Sequence, residues 1–415
     1  MKAPVPLLLL LLAALPGWAA QLVDGSVLDA ATGEPIAGAT VTFAGHAIQT
    51  DEQGAFHTSG EGDVVGVRAS GYRREEVAAR QLAGSGAAIR LEPFVPKALY
   101  LSFYGIGTSA LRTPALRLIA ETELNALVID VKGDRGMVPY PSAVPLAARV
   151  GAQDVITIED AKALLAALKA KGIYLIARIV VFRDDRLAWA RTDLAVKAPG
   201  SGPWRDREGL AWSDPFQREV RDYNIDLAVE AASHGFDEIQ FDYVRFPDAK
   251  RLVFAGPNTR KDRVQAIEDF LVEARRRLVP YNVFLSADVF GYVCWNVDDT
   301  GVGQVLETFA PQLDYLSPML YPSSFQFGIP GYRNPVQHPY EIVYLSLSKA
   351  EARTGLPGSR FRPWLQAFRD YAYDHRPFGA AEIRAQIRAA EAAGSNGWML
   401  WNPHNTYSGD GLEKD

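Results

Sequence analysis

Eight short apolar runs, separated by loops and amphipathic helical patterns, occupy the chain from residue 97 onward and place the tightest limit on its fold. They are Ala98–Gly105, Ala126–Gly133, Tyr174–Phe182, Glu238–Pro247, Phe284–Gly291, Tyr315–Pro322, Phe361–Phe368 and Gly397–Pro403. Between the runs, Ile158–Gly172 carries Ala161, Leu164, Leu165 and Leu168 on one helical face and closes on a glycine suited to a helix end. Similar faces occur in Glu219–Gly235, Arg263–Leu278 and Ala381–Gly394. Strands alternating with helices predict a parallel sheet, and eight such units predict a (β/α)₈ TIM barrel over residues 97–415. The alternative, an open doubly wound sheet, usually shows a glycine-rich phosphate turn after its first strand, of which Phe103–Gly107 is only a weak echo.

What precedes the barrel has a different period. From Leu22 to Pro93, runs such as Thr40–Phe43 and Asp63–Arg68 alternate between Gly, Asp and Pro, which predicts a small all-β sandwich over residues 20–94. His46 and His57 are expected at its surface rather than as ligands, and Pro93 and Pro96 make a short stiff joint. Residues 1–19 read as a signal peptide, with Lys2 before the apolar stretch Leu7–Leu15 and the small residues Gly17 and Ala19 before the cut. Cleavage after Ala20 is the alternative. With no cysteine near the cut to take a lipid and no other long apolar run, the expected product is exported, periplasmic or extracellular, with no integral membrane segment after cleavage.

Charge and cysteine content narrow the function. With 43 basic against 49 acidic residues, a net charge of −6 and no Lys/Arg run, the chain lacks the footprint of a nucleic-acid binder. One cysteine, Cys294, excludes an internal disulfide framework and any multi-cysteine zinc site, and is expected as a buried thiol.

The pleat converts the runs into chemistry. Side chains alternate along a strand, so Leu127, Ile129 and Val131 take one face while Asp130 and Lys132 take the other. The same rule sets Arg178 against Ala177 and Ile179, Gln240 and Asp242 against Ile239 and Phe241, and Ser286 and Asp288 against Leu285, Ala287 and Val289. The last run puts Trp398, Leu400 and Asn402 on one side. Apolar faces should meet the helices, so the polar set is expected to point into the barrel. Tyr321, Gln366, Trp401 and Asn402 are expected to join it, with His404 beside them. Asp130, Asp242 and Asp288 fall toward the C-terminal ends of their strands, where barrel enzymes carry their sites. Three carboxyls there are costly unless paired, protonated or lining a wet cleft. Simple neutralisation by Lys132 and Arg178 is the structural alternative.

Two long loops belong to that end. Arg183–Pro215 holds Trp189, Trp204 and Trp212, and Pro322–Pro339 holds Phe325, Phe327 and Tyr332. Aromatic faces rimmed by Asp, Asn and Arg suit sugar rings, although such aromatics also serve simply to pack loops down.

Two resemblances extend this reading. The segments Gly25–Asp29, Thr32–Val41, Thr50–Phe56 and Ala69–Tyr72 resemble the carboxypeptidase regulatory-like domain, a small sandwich that implies an accessory role. The runs Ala126–Lys132, Phe241–Pro247 and Ser317–Pro322 are similar to a bacterial family grouped with glycoside hydrolases, which implies a barrel and a polysaccharide or oligosaccharide partner. Set beside the α-amylase-like families, Asp242 matches the position of their nucleophile. Gln240 stands where they carry an arginine, and Asp288 stands near their acid.

Glycoside hydrolysis needs one ionised and one protonated carboxyl. The expected assignment is Asp242 as nucleophile or base and Asp288 as general acid, with Asp130 as the alternative partner. Adjacent strands favour a retaining separation, whereas pairing with Asp130 favours inversion. Lys132, Arg178, Gln240, Tyr321, Gln366, Trp401, Asn402 and His404 are the candidate substrate contacts. No cofactor or metal is expected, for the sequence has neither a histidine cluster nor an HExxH motif. A catalytically idle polysaccharide-binding barrel is the rival reading.

Overall fold

The computed structural model describes residues 21–82, 86–200 and 202–414, and the residues read as a signal peptide lie outside these. Short alternating segments give seven N-terminal strands: β1 (Gln21–Asp29), β2 (Thr40–Phe43), β3 (His46–Gln49), β4 (Ala55–Gly60), β5 (Val64–Arg68), β6 (Glu75–Ala78) and β7 (Ala88–Leu91). They form two sheets, ordered β4-β1-β7 and β3-β2-β5-β6. All pairs are antiparallel except β1 with β7. Val23, Val27, Phe56 and Ile89 of one sheet meet Val41, Phe43, Val65 and Val67 of the other in a shared core. His46 and His57 are exposed.

The barrel strands are β8 (Lys97–Leu101), β9 (Ala126–Lys132), β10 (Tyr174–Val180), β11 (Glu238–Asp242), β12 (Phe284–Phe290), β13 (Tyr315–Met319), β14 (Trp364–Gln366) and β15 (Trp398–Trp401). They close as a parallel barrel in chain order, with β15 pairing β8. Each coincides with one of the eight apolar runs and ends before the run does. Ile129, Ile179, Phe241 and Ala287 point outward and pack with Leu165, Leu227, Ile267 and Phe270 of the surrounding helices in the main core. Tyr100, Val128, Ile176, Phe284, Trp364 and Met399 fill the interior. Cys294 is buried, and burial pushes its thiol up to about 12. Among the described residues no helix is long and apolar enough to cross a membrane.

The N-terminal module sits against the end of the barrel where the strands begin. Gly71 N donates to Tyr315 Oη at 3.0 Å, and Asn396 Nδ2 donates to Phe94 O at 3.1 Å. Arg74 reaches Phe236 O and Tyr281 O at 3.4 and 3.3 Å, and Asn282 Nδ2 reaches Glu75 O at 3.0 Å. Just inside this end, Glu238 and Arg362 form a fully buried pair at 2.5 Å, supported by Ser286 and Tyr174 hydroxyls at 2.6 and 3.0 Å. The opposite end, where the strands finish, is left to the long loops.

Candidate active site

The ladder registers decide which side chains meet at that open end. Arg178 on β10 lies opposite Asp130 on β9 and Gln240 on β11. Phe241 lies opposite Ala287, so Asp242 and Asp288 follow next to each other on β11 and β12. Arg178 Nη1 donates to Asp130 Oδ1 at 2.7 Å, while its Nε and Nη2 donate to Asp242 Oδ2 at 2.9 and 2.6 Å. Nη2 also touches Asp134 Oδ1 at 3.2 Å. The guanidinium thus ties together two buried carboxyls from neighbouring strands, and it stands across the ladder from Gln240, supplying the positive charge that position 240 lacks.

Each acid has its own surroundings. Asp130 accepts further bonds from Tyr100 Oη at 2.8 Å and Phe103 N at 3.2 Å, yet burial outweighs Arg178 and raises its carboxyl above the ordinary value. Asp242 Oδ1 accepts the amide of Tyr243 at 2.6 Å. Asp288 is 1% exposed; its Oδ1 accepts Trp364 Nε1 at 2.8 Å. Its Oδ2 has no hydrogen-bond partner among the described residues. Burial, then the charge of Asp242, pushes the Asp288 carboxyl well above 3.8. Desolvation disfavours the charged form, and a like charge nearby adds to it.

Aromatic rings frame these acids. Trp401 stacks on Tyr100 with centroids 4.1 Å apart and meets Trp364 edge-on at 5.4 Å. The Arg178 guanidinium lies 4.8 Å from the Trp401 ring. Burial first, then Asp288 and Asp242, raises the Tyr321 hydroxyl, so Tyr321 belongs to the same cluster. A cavity of about 270 Å³ opens over Tyr100, Asp130, Asp134 and Trp401. A larger one of about 670 Å³ lies over Tyr243, lined by Arg183, Trp204, Trp212, Arg245, Tyr292 and Phe327 from the loops.

Four expectations need correction or reassignment. Lys132 does not point into the barrel: the β9–β10 register shifts after the Asp130–Arg178 pair, so that Lys132 stands opposite outward-facing Ile179. This bulge turns Lys132 toward the helix layer, where its Nζ is buried and pairs with Asp184 at 2.6 Å and Val181 O at 3.1 Å. Gln366 is buried, but both ends of its amide hold the loop after β13: Oε1 accepts Ser323 N at 3.0 Å and Nε2 donates to Ser323 Oγ at 2.7 Å. On β15 it is Met399 and Trp401 that face inward; Trp398 and Leu400 pack outward, and Asn402, past the strand, staples the loop through Ala367 O, Thr406 O and the amide of His404. The His404 side chain is exposed on that loop.

Asp130, Arg178, Asp242, Asp288, Tyr321 and Trp401 do come together. Gln240 faces the interior lower down, with Nε2 on Ser317 Oγ at 3.3 Å and Oε1 without a hydrogen-bond partner among the described residues. Tyr100, Asp134 and Trp364 complete the cluster and were not among the candidates. For Tyr100 and Trp364 the signal was present, because strand parity places both inward. Among the described residues no group of three or more His, Cys, Asp or Glu side chains is placed to hold a metal ion.

Residues 98–407 match a family described as "Putative glycosyl hydrolase domain". The chain belongs to this family. The match takes in nearly the whole barrel and every acid discussed above. A hypothetical protein from Ruminiclostridium thermocellum ATCC 27405 is 38% identical over 46% of this chain and 97% of its own, with a TM-score of 0.41. The PgaB (BpsB) glycoside hydrolase domain from Bordetella bronchiseptica is 16% identical over 75% of this chain and 95% of its own. Its TM-score of 0.55 is a likeness of fold. No curated protein matches the chain.

Proposed function

We propose that the protein is an exported glycoside hydrolase acting on a polysaccharide or oligosaccharide, with Asp242 as nucleophile or base and Asp288 as general acid. The observation that carries this reading is the unlike treatment of two carboxyls on adjacent strands. Asp242 is held by a two-nitrogen contact from Arg178, while Asp288 is driven toward its protonated form. Trp364 occupies the Asp288 oxygen that would be the carbonyl, which leaves Oδ2 to carry a proton. Environments that push two carboxyls apart are how glycosidases separate acid from base. Asp130, held by Arg178, Tyr100 and Phe103, serves as a positioning residue for the guanidinium. Tyr321 and Trp401 form the platform for the sugar.

The test is Asp242→Asn assayed for product release on a broad glycan panel. Turnover should fall by more than about a hundredfold with the fold intact. Turnover close to wild type would remove Asp242 from the mechanism. A second reading, a polysaccharide-binding barrel without activity, is favoured by the depth of Asp288 and by the closure of both other acids on Arg178. Glycan binding by the wild-type protein without cleavage of any substrate would select it. In either reading the N-terminal module is proposed to be a carboxypeptidase regulatory-like accessory.

A further inference from the structure

The segment Phe241–Pro247 does more than deliver Asp242. Tyr243, directly after it, has φ +48°, a left-handed conformation that a bulky residue keeps only when its surroundings impose it. Here the surroundings are visible. The Tyr243 amide donates to Asp242, and its hydroxyl accepts from Arg183 Nη1 at 2.8 Å. Its ring also makes one wall for Arg245. The Arg245 guanidinium carbon lies 5.2 Å from the Tyr243 ring centre and 4.9 Å from that of Trp212.

Arg245 is thereby fixed at the larger cavity of the mouth, three residues along the chain from Asp242. Its neighbour Arg183 is paired with Asp206 and Glu208 at 2.9 and 2.6 Å. Among the described residues no carboxylate pairs with Arg245; its hydrogen bond runs from Nη1 to Phe246 O at 3.0 Å. Once Arg183 and its two acids are set aside, Arg207, Arg245 and Lys250 line the cavity against Asp248. Burial works against the Arg245 charge more strongly than Tyr243 and Asp242 support it. A guanidinium held between two rings, partly desolvated and without an acid, is a ready partner for a carboxylate, which it can bind through two parallel N–H bonds.

Resting on the glycosidase reading above, we propose that the substrate is an acidic polysaccharide and that Arg245 binds the carboxylate of a uronic-acid residue beside the bond to be cleaved. Trp204, Tyr292 and Phe327 supply the faces on which neighbouring rings lie. A guanidinium placed only to cover the aromatic rings would show no preference for charge.

The experiment is calorimetric binding of wild-type protein to uronate oligomers and to the same oligomers with their carboxylates methyl-esterified. The acid form should bind at least tenfold more tightly, and in Arg245→Gln the acid and ester forms should bind with the same affinity. Equal affinities, or a gap that survives in Arg245→Gln, would overturn the proposal. Preference for a sulfated oligomer of otherwise neutral sugars over the uronate would overturn the carboxylate assignment. The esterification comparison uses wild type alone, so it stands even where the variant misfolds. Because affinity and product release are read separately, tight uronate binding by a protein that cleaves no glycan would sink the glycosidase reading and leave only the carboxylate contact of Arg245. Cleavage of neutral glycans with no uronate preference would do the reverse.

Discussion

The indole N–H of Trp364 on β14 reaches across the barrel to Asp288 on β12 and bonds one carboxyl oxygen at 2.8 Å, leaving the other bare. That contact makes the protonation of Asp288 measurable. Its carboxyl is raised above 3.8 in the folded protein, so above that pH the folded state holds a proton that the unfolded state has released. The contribution of Asp288 to stability therefore falls as pH rises above about 4. Asp288→Asn keeps an acceptor for Trp364 and removes the titration. Its melting temperature should gain on that of wild type steadily across this range, and parallel curves would refute the raised carboxyl.

Arg178 is the only cation that Asp130 and Asp242 share in the described residues, and all three side chains are buried. Replacing it with Met strands two carboxylates inside the barrel. Denaturant unfolding should register a loss of about 3–5 kcal/mol, the scale for breaking a buried pair from one side. Arg178→Lys should recover little of this, since an ammonium cannot fork between two strands.

Lys132 gives a contrasting prediction. It is paired with Asp184 beneath the Tyr223 ring, whose centroid lies 5.3 Å from Nζ, and so stands apart from the acids of the mouth. Lys132→Met should destabilise by about 3 kcal/mol or more, and adding Asp184→Leu should restore much of the loss. Glycan affinity per folded molecule should not change in either variant. A selective loss of affinity would return Lys132 to the site.

The seam between module and barrel has its own weak point at Gly66. A Cβ there would lie 2.6 Å from both Cβ and Cγ of Asn282, whose amide bonds Glu75 O. Gly66→Ala should cost about 1–3 kcal/mol as a local overpacking. Hydrogen exchange should show the loss concentrated around β5 and β6. Unchanged exchange there would mean that Asn282 moves aside freely.

How much of this could be read in advance follows from what alternation encodes. Period two identified all eight barrel strands and set Arg178, Gln240, Asp242, Ser286 and Asp288 inward, because a regular strand has no other choice. It failed at Lys132, where one extra residue in β9 reverses the faces and leaves no mark in the composition. It also overran the strand ends: β11 stops at Asp242 because Tyr243 turns left-handed, whereas its side chain type suggests continuation. Gln366 and Asn402 were read from polarity as sugar contacts, but polarity does not say whether an amide serves a ligand or the next loop. The Glu238–Arg362 pair joins residues 124 apart in sequence, a separation across which no local pattern speaks.

The reversal at β9 also sets the proton inventory of the mouth. Had β9 kept strict alternation through Lys132, a lysine ammonium would have stood among the aspartates and favoured the charged form of one more of them. Instead a single arginine serves Asp130 and Asp242, and among the described residues no second cation pairs with Asp288. The register shift in β9, three strands from Asp288, is what holds the lysine charge in the helix layer and leaves the third acid to favour its protonated form.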